Sequence, residues 1–293
     1  MTMTPTAEIL TPLPPLLVEP AVRAALLEDL GRAGDITTMS VVPADARVGG
    51  VIAARQAGVV AGLDCTLAAF RLLDPAVRVT VHAPDGSRIA AGQPVASVSG
   101  PARGILTAER VALNFLCHLS GVATVTAGLV EAVHGHRARI TCTRKTTPGL
   151  RALEKHAVRA GGGISHRFGL DDGVLIKDNH LAVGGGIRPA VECARRAIGH
   201  MVKVEVEVET LEQLAEALAA GVDAVLLDNM APPMLAEAVA RIGGQAISEA
   251  SGRITRETLA AVAATGVDVI SVGWITHSAP ALDLGLDLDA AAV

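Results

Sequence analysis

The sequence predicts an α/β protein whose C-terminal part is (β/α) barrel-like, and three observations carry that expectation. Strand-like runs recur at 138–145, 173–179, 202–209, 223–229, 245–252 and 267–273. Helical patterns such as LEQLAEALAAG and ETLAAVAATG lie between the later ones, and strands alternating with helices imply a parallel sheet of βαβ units. No G-x-G-x-x-G start opens the series, which favours a barrel over a dinucleotide-binding sheet.

The N-terminal stretch MTMTPTAEILTPLPPLL lacks the basic region of a secretory signal and reads as a loose arm. Residues 16–30 carry apolar positions at helical spacing and stop at Gly31. GDITT then leads into short β-like runs, ARVGGVIAA, GVVAG and VRVTVHAPDGSRIAAGQPVASVSG. Asp85-Gly86 is a hairpin signal there, and Gly92 and Gly100 mark further turns. The segment resembles a biotinyl-type sandwich, but no lysine sits at its turns, so it reads as scaffold rather than carrier module. From Thr107 to His134 the pattern is helical, with a break expected near Gly121. Arg110 falls in its first turns, where local pattern alone suggests a surface ion pair.

Length and composition bound the function. A chain of 293 residues holds one large domain or two ordinary ones. No run approaches the roughly 20 apolar residues of a membrane span. Cys65, Cys117, Cys142 and Cys193 show no C-x-x-C spacing, so a reduced, cytoplasmic protein is expected, with no zinc site or disulfide framework. A net charge of −5 and few aromatics (Phe70, Phe115, Phe168, Trp274) argue against nucleic acid as a partner.

Charge is unevenly spread. Arg137 to Lys177 holds nine Lys/Arg against three Asp/Glu, while the rest of the chain holds 16 against 27. An acidic protein that gathers its positive charge in one segment suggests a polyanionic ligand. Only the middle, RALEKHAVR, reads as the solvated face of an amphipathic helix. The strand ends then offer Arg144 and Lys145, Lys177 and Asp178, Glu207 and Glu209, Asp228, Ser251 and Gly252, and Gly273. In a (β/α) barrel the site is built from C-terminal strand ends. Arg144, His166 and Arg167 suit carboxylates or phosphates, and Lys145 and Lys177 act as compact point charges. Glu207 and Asp228 are hard oxygen ligands for Mg²⁺ through water. Ser251-Gly252 and Gly273 match a barrel phosphate site.

The motifs TRKTTPGLR, EKHAVRAGGGISHRFGL and LIKDNH resemble the signature of the quinolinate phosphoribosyltransferases, also called carboxylating nicotinate-nucleotide pyrophosphorylases. The likeness extends to TAERVALNFLCHLSGVAT upstream and to VEVEVET, LLDNM, SEASGRIT and SVGWITHSAPALDLGLD downstream. The resemblance implies an N-terminal α/β sandwich domain (1–113, joined by 281–293) and an open (β/α) barrel-like domain (114–280). It implies transfer of phosphoribosyl from phosphoribosyl pyrophosphate to quinolinate with decarboxylation, using Mg²⁺, in NAD biosynthesis. It also implies a homodimer or higher oligomer with shared active sites. Carried over residue by residue, Arg144, Lys145, His166, Arg167 and Lys177 line the quinolinate pocket, and Arg110 reaches in from the partner. Glu207 and Asp228 hold the ribose hydroxyls and metal-bound pyrophosphate, and with Lys145 they form the catalytic set. Ser251, Gly252 and Gly273 seat the 5-phosphate, with His277 nearby.

Two positions depart from the family pattern. Ser165 stands where the family usually has asparagine, and Arg253 where it usually has glycine. Arginine there either adds a phosphate contact or forbids a glycine-only backbone conformation. Three rival readings share parts of these motifs: a molybdate-operon paralogue, a Schiff-base aldolase using Lys145 or Lys177, and a nucleotide-binding sensor without turnover.

Overall fold

Proline at the first helical position, where its missing N–H costs nothing, opens the first helix of the computed structural model, and a positive-φ glycine, Gly31, closes it. The structure describes residues 10–289; most of the expected N-terminal arm lies outside them. In chain order, the first half contains α1 (Pro15–Leu30), α2 (Ile36–Val41), β1 (Arg47–Ala54), β2 (Gly58–Val59), α3 (Leu63–Leu73), β3 (Arg78–Val81), β4 (Arg88–Ile89), β5 (Pro94–Pro101) and α4 (Ala102–Ala132). The second half contains β6 (Arg139–Thr141), α5 (Arg151–Ala160), β7 (Val174–Ile176), α6 (Asp178–Gly184), α7 (Ile187–Ala197), β8 (Val204–Val208) and α8 (Leu211–Ala219). It continues with β9 (Ala224–Asp228), α9 (Pro232–Ile242), β10 (Ile247–Ser251), α10 (Arg256–Ala263), β11 (Val269–Ser271), a 3₁₀ turn at Gly273–Thr276 and β12 (Leu284–Asp289).

The chain divides into two compact units. The first comprises residues 10–127, 147–162 and 278–289, and the second 128–146 and 163–277. The boundary read from the sequence at 113/114 falls inside the unbroken helix α4.

The first unit is built on a four-stranded antiparallel sheet ordered β12-β1-β5-β3, beside the pair β2-β4. Asp85-Gly86 does turn the chain, but not as a hairpin: β3 pairs with β5 and β4 with β2. The Asp85 carboxylate instead accepts from the N–H groups of Gly62 and Leu63 at the start of α3, at 3.0 and 3.2 Å. Gly92 is a turn glycine, whereas Gly100 lies within β5. Before the first β-like run the chain forms α2, because the Asp35 side chain caps that helix by accepting from Thr38 N–H at 2.8 Å. Ile52, Phe70, Ile105, Leu116 and Leu119 are fully buried, each contributing about 1.5–3 kcal/mol.

α4 runs for 31 residues, long and apolar enough to cross a membrane by length and composition. That corrects the expectation from the sequence, but two thirds of its most apolar stretch is buried within the protein. The expected break near Gly121 is also absent. Gly121 serves close approach instead: a Cβ there would collide with the Pro280 carbonyl. This lets the segment that leads to β12 lie against α4, where Leu282 N–H donates to Cys117 O at 2.9 Å.

α5 overturns the solvated-face reading. Leu153, Glu154, Lys155, His156, Ala157 and Val158 are all buried. Buried charge is tolerated only when paired, and it is paired here. Glu154 faces His118 Nε2 at 2.9 Å and accepts from Thr147 N–H at 3.0 Å, and His156 Nε2 meets Asp85 at 3.1 Å.

The second unit carries all six expected strands as one parallel sheet, ordered β6-β11-β10-β9-β8-β7. β7 to β11 are neighbours in sequence order and β6 joins beyond β11. This is the strand order of a (β/α) barrel left open between β6 and β7. All C-terminal strand ends emerge on one side.

Gly121→Ala gains about 1 kcal/mol of helix propensity, but the overpacking against a backbone carbonyl costs about 1–3 kcal/mol. The variant is expected to unfold at lower urea concentration than the parent; an equal or higher midpoint would show that Pro280 yields without cost.

Candidate active site

β8 shows how local sequence builds the site. Val204, Val206 and Val208 alternate with Glu205 and Glu207, and a strand sends successive side chains to opposite faces. Both glutamates thus share one face, Glu205 buried and Glu207 half-buried. β10 likewise places Glu249 and Ser251 on one face, and Asp228 ends β9 in register with Ser251.

Two adjoining clefts open at these strand ends. The first, about 290 Å³, is lined by Arg144, Lys145, His166, Arg167, Lys177, Glu249 and Ser251, over Leu175 and Leu226. The second, about 470 Å³, is lined by Lys145, Lys177, Glu207, Asp228, Ser251, Gly252, Arg253, Gly273 and His277. Thr143, Lys145, Lys177, Ser251 and Ser271 line both. The sequence-selected residues are therefore brought together, except Arg110, Asp178 and Glu209, which line neither cleft.

In the first cleft the cations are not all spent. Arg144 Nε is buried with no hydrogen-bond partner. Arg167 donates from Nη1 to Gly173 O at 2.9 Å. Burial, then the neighbouring Arg144 guanidinium, lower the Arg167 pKa, so the pair is held against its own repulsion. His166 Nδ1 accepts from Arg167 N–H at 2.7 Å, so the ring proton belongs on Nε2. Nε2 faces the carboxylates of Glu205 at 3.2 Å and Glu249 at 3.5 Å.

Sequence reasoning missed both of these glutamates. The available signal was period two: each lies two residues before a selected residue, on the same strand face. Burial, and then Glu205, push the Glu249 carboxyl up to about 7, and its Oε1 has no partner. His166, Glu205 and Glu249 bring ligand atoms within 4.8 Å of one another. With Arg144 and Arg167 in the same cleft, this cluster suits an organic anion better than a cation.

The second cleft mixes signs. Lys177 Nζ ion-pairs with Glu207, and Asn229 Nδ2 donates to Asp228. Its rim is fixed by backbone. Gly252 has φ 97°, and a Cβ there would lie 2.8 Å from Asn229 N, so only glycine fits. At Gly273 a Cβ would lie 2.9 Å from Lys145 Cδ. Lys145 is held by its backbone, with N–H donating to Thr143 Oγ1 at 3.0 Å and O accepting from Thr276 Oγ1 at 2.7 Å.

Arg110 belongs to the first unit, on α4, and lines a cleft of about 370 Å³ with Glu28, Asp29, Asn114, Phe115 and His118. The ion pair expected for it is not formed: among the described residues no carboxylate lies within 4 Å of its guanidinium, although Glu28 and Asp29 share the cleft.

Two family models match the chain, the quinolinate phosphoribosyl transferase N-terminal domain over residues 35–120 and the C-terminal domain over residues 122–287. A probable nicotinate-nucleotide pyrophosphorylase (carboxylating) of Bacillus subtilis (strain 168) is 46% identical over 262 residues, covering 89% of this chain and 90% of the relative. A nicotinate-nucleotide pyrophosphorylase (carboxylating) of Mycobacterium leprae (strain TN) is 47% identical over 275 residues, covering 91% and 95%. Among solved structures, the nicotinate-nucleotide pyrophosphorylase from Francisella tularensis superposes with a TM-score of 0.92 at 39% identity, covering 96% of this chain and 99% of that one.

The buried carboxyl predicts a pH signature. Folded Glu249 keeps its proton to about pH 7, whereas an unfolded glutamate loses it near 4.5. Its contribution to stability is therefore present below pH 4.5 and lost as pH rises through about 7. Glu249→Gln mimics the protonated form, so between pH 5 and 8 the variant should gain on the parent by about 2 kcal/mol. Urea unfolding at both pH values measures this, and a pH-independent difference would mean that Glu249 is ionised throughout.

Proposed function

The chain belongs to the quinolinate phosphoribosyltransferase family, and we propose that its two adjoining clefts divide that family's reaction between them. The protein transfers phosphoribosyl from phosphoribosyl pyrophosphate to quinolinate with decarboxylation, giving nicotinate mononucleotide, pyrophosphate and CO₂ in NAD biosynthesis. The observation that carries the division is the unpartnered, buried Arg144 Nε beside Arg167, in a cleft that adjoins a second one of mixed charge.

In this reading the first cleft takes quinolinate. Arg144 and Arg167 offer planar donor forks to its carboxylates, and each bound anion relieves the repulsion between them. His166 donates from Nε2, or turns that proton toward the substrate from the Glu205–Glu249 pair. The second cleft takes phosphoribosyl pyrophosphate, with Ser251, Gly252 and Gly273 around its 5-phosphate, His277 nearby, and Asp228 and Glu207 at the ribose hydroxyls. Glu207 and Asp228 are hard oxygen donors lining one cleft, and they fit a Mg²⁺ ion held through water or pyrophosphate. Bound there, Mg²⁺ supplies positive charge against the departing pyrophosphate.

Lys145 and Lys177 line both clefts, so they hold the two substrates against each other and add fixed positive charge beside the leaving group. As pyrophosphate leaves, positive charge develops at ribose C1, and the pyridine nitrogen forms the new bond there. The positive charge on the quaternised nitrogen then stabilises the electron pair that the breaking C2–carboxylate bond leaves on C2. CO₂ leaves, and C2 takes up a proton.

We assign Arg110 to the partner's site in a homodimer. Its lack of an ion pair supports this, as do the exposed apolar side chains of Leu27, Ile36, Met39 and Val41 in the same unit. A cytoplasmic location is supported by the four cysteines, all free.

Release of CO₂ from carboxyl-labelled quinolinate is expected to require phosphoribosyl pyrophosphate and Mg²⁺, to stop on chelation, and to leave nicotinate inert. Turnover of nicotinate at a comparable rate would refute the dicarboxylate assignment. Arg144→Lys should lower kcat/KM for quinolinate by about 100-fold, because a point charge cannot replace the planar fork. An effect below threefold would remove Arg144 from the quinolinate pocket.

A further inference from the structure

Arg253 is held in a conformation that arginine seldom adopts. Its φ is 49°, in the left-handed region, and only Asn229 among the other described non-glycine residues shares that region. Such a conformation costs about 1 kcal/mol or more for an L-residue with a long side chain. The arginine therefore neither breaks the loop nor reshapes it; the loop keeps a glycine-like turn and bears the strain. Strained residues persist where something else over-determines them, and at a cleft that is a reason to look for a ligand.

No contact of the Arg253 side chain within the described residues repays the strain. Among the described residues the Arg253 guanidinium makes no hydrogen bond or ion pair, so its charge is open to the cleft that it lines. It lines the 470 Å³ cleft directly after Ser251 and Gly252 and directly before Ile254, whose carbonyl accepts from Trp274 Nε1 at 3.1 Å. That bond ties the strained turn to the segment carrying Gly273, on the same cleft. Across the cleft the other cations have other roles: Lys177 is paired with Glu207, and Lys145 lies between both clefts.

We infer that Arg253 is a binding residue for the 5-phosphate of phosphoribosyl pyrophosphate, adding a guanidinium contact to a site of hydroxyl and backbone groups with His277 nearby. This rests on the reading of the second cleft as the phosphoribosyl site. A guanidinium matches a phosphate with two parallel donors, and an exposed contact of this kind is worth about 5- to 30-fold in affinity. Because product and substrate share the 5-phosphate, the same contact strengthens retention of nicotinate mononucleotide.

Binding of ribose 5-phosphate and of pyrophosphate, measured by calorimetry on the full chain, tests this without relying on turnover. Arg253→Gly removes both charge and strain, Arg253→Ala removes the charge alone, and Arg253→Lys keeps a charge. Gly and Ala should weaken ribose 5-phosphate binding about tenfold and flatten its salt dependence, with Lys intermediate and pyrophosphate binding unchanged. Arg253→Gly should also melt higher than Arg253→Ala. Ribose 5-phosphate binding unchanged in Arg253→Gly, or weakened only for pyrophosphate, would overturn the inference. Failure of the parent to release CO₂ from quinolinate, with ribose 5-phosphate still bound, would instead count against the quinolinate assignment alone.

Discussion

The site depends on keeping positive charge concentrated and unspent in a partly buried cleft. Arg144 and Arg167 raise each other's free energy, and carboxylates that fully neutralised them would leave nothing for a ligand. The protein resolves this with Glu205 and Glu249, which lie behind His166 rather than against the Arg144 Nε. Two carboxylates so close cannot both ionise cheaply, and burial pushes Glu249 up to about 7. Near neutrality the Glu249 carboxyl is therefore only partly ionised.

The second cleft answers a different constraint, the tight backbone turn at its rim. Gly252 has both a positive φ and no room for a Cβ, whereas a Cβ at Gly273 would press only on the Lys145 side chain. The first is a geometric requirement of the strand-end turn after β10, and Arg253 follows it directly, lining the same cleft. The strain it carries is the cost of placing a guanidinium where the backbone asks for glycine.

Much of this was legible in the sequence, and the misses have one physical origin. The six strands of the second unit are readable because each is a short apolar run between turn signals, and their ends name most of the cleft residues. Glu205 and Glu249 were not, although VEVEVE states the alternation plainly, because alternation alone does not say which face is covered. α5 failed for the same reason. Its charges at 151, 154, 155 and 159 have helical spacing, yet Glu154, Lys155 and His156 are buried. Gly121 was read as a helix breaker by propensity, whereas its neighbour in space, Pro280, decides its role.

Those misses point the same way about charge in this fold. Buried glutamates recur in both units, and each meets a histidine: Glu154 with His118, and Glu205 and Glu249 with His166. The consequences differ with what else the carboxylate meets. Glu154 also accepts a backbone N–H from Thr147, so both its oxygens are satisfied and the pairing is structural. Glu249 keeps one oxygen without a partner, in a cleft, with a proton that leaves near neutrality. A satisfied buried carboxylate fixes a loop, whereas an unsatisfied one costs stability that only a ligand or a proton can return. By that measure α5 belongs to the scaffold and β10 to the reaction.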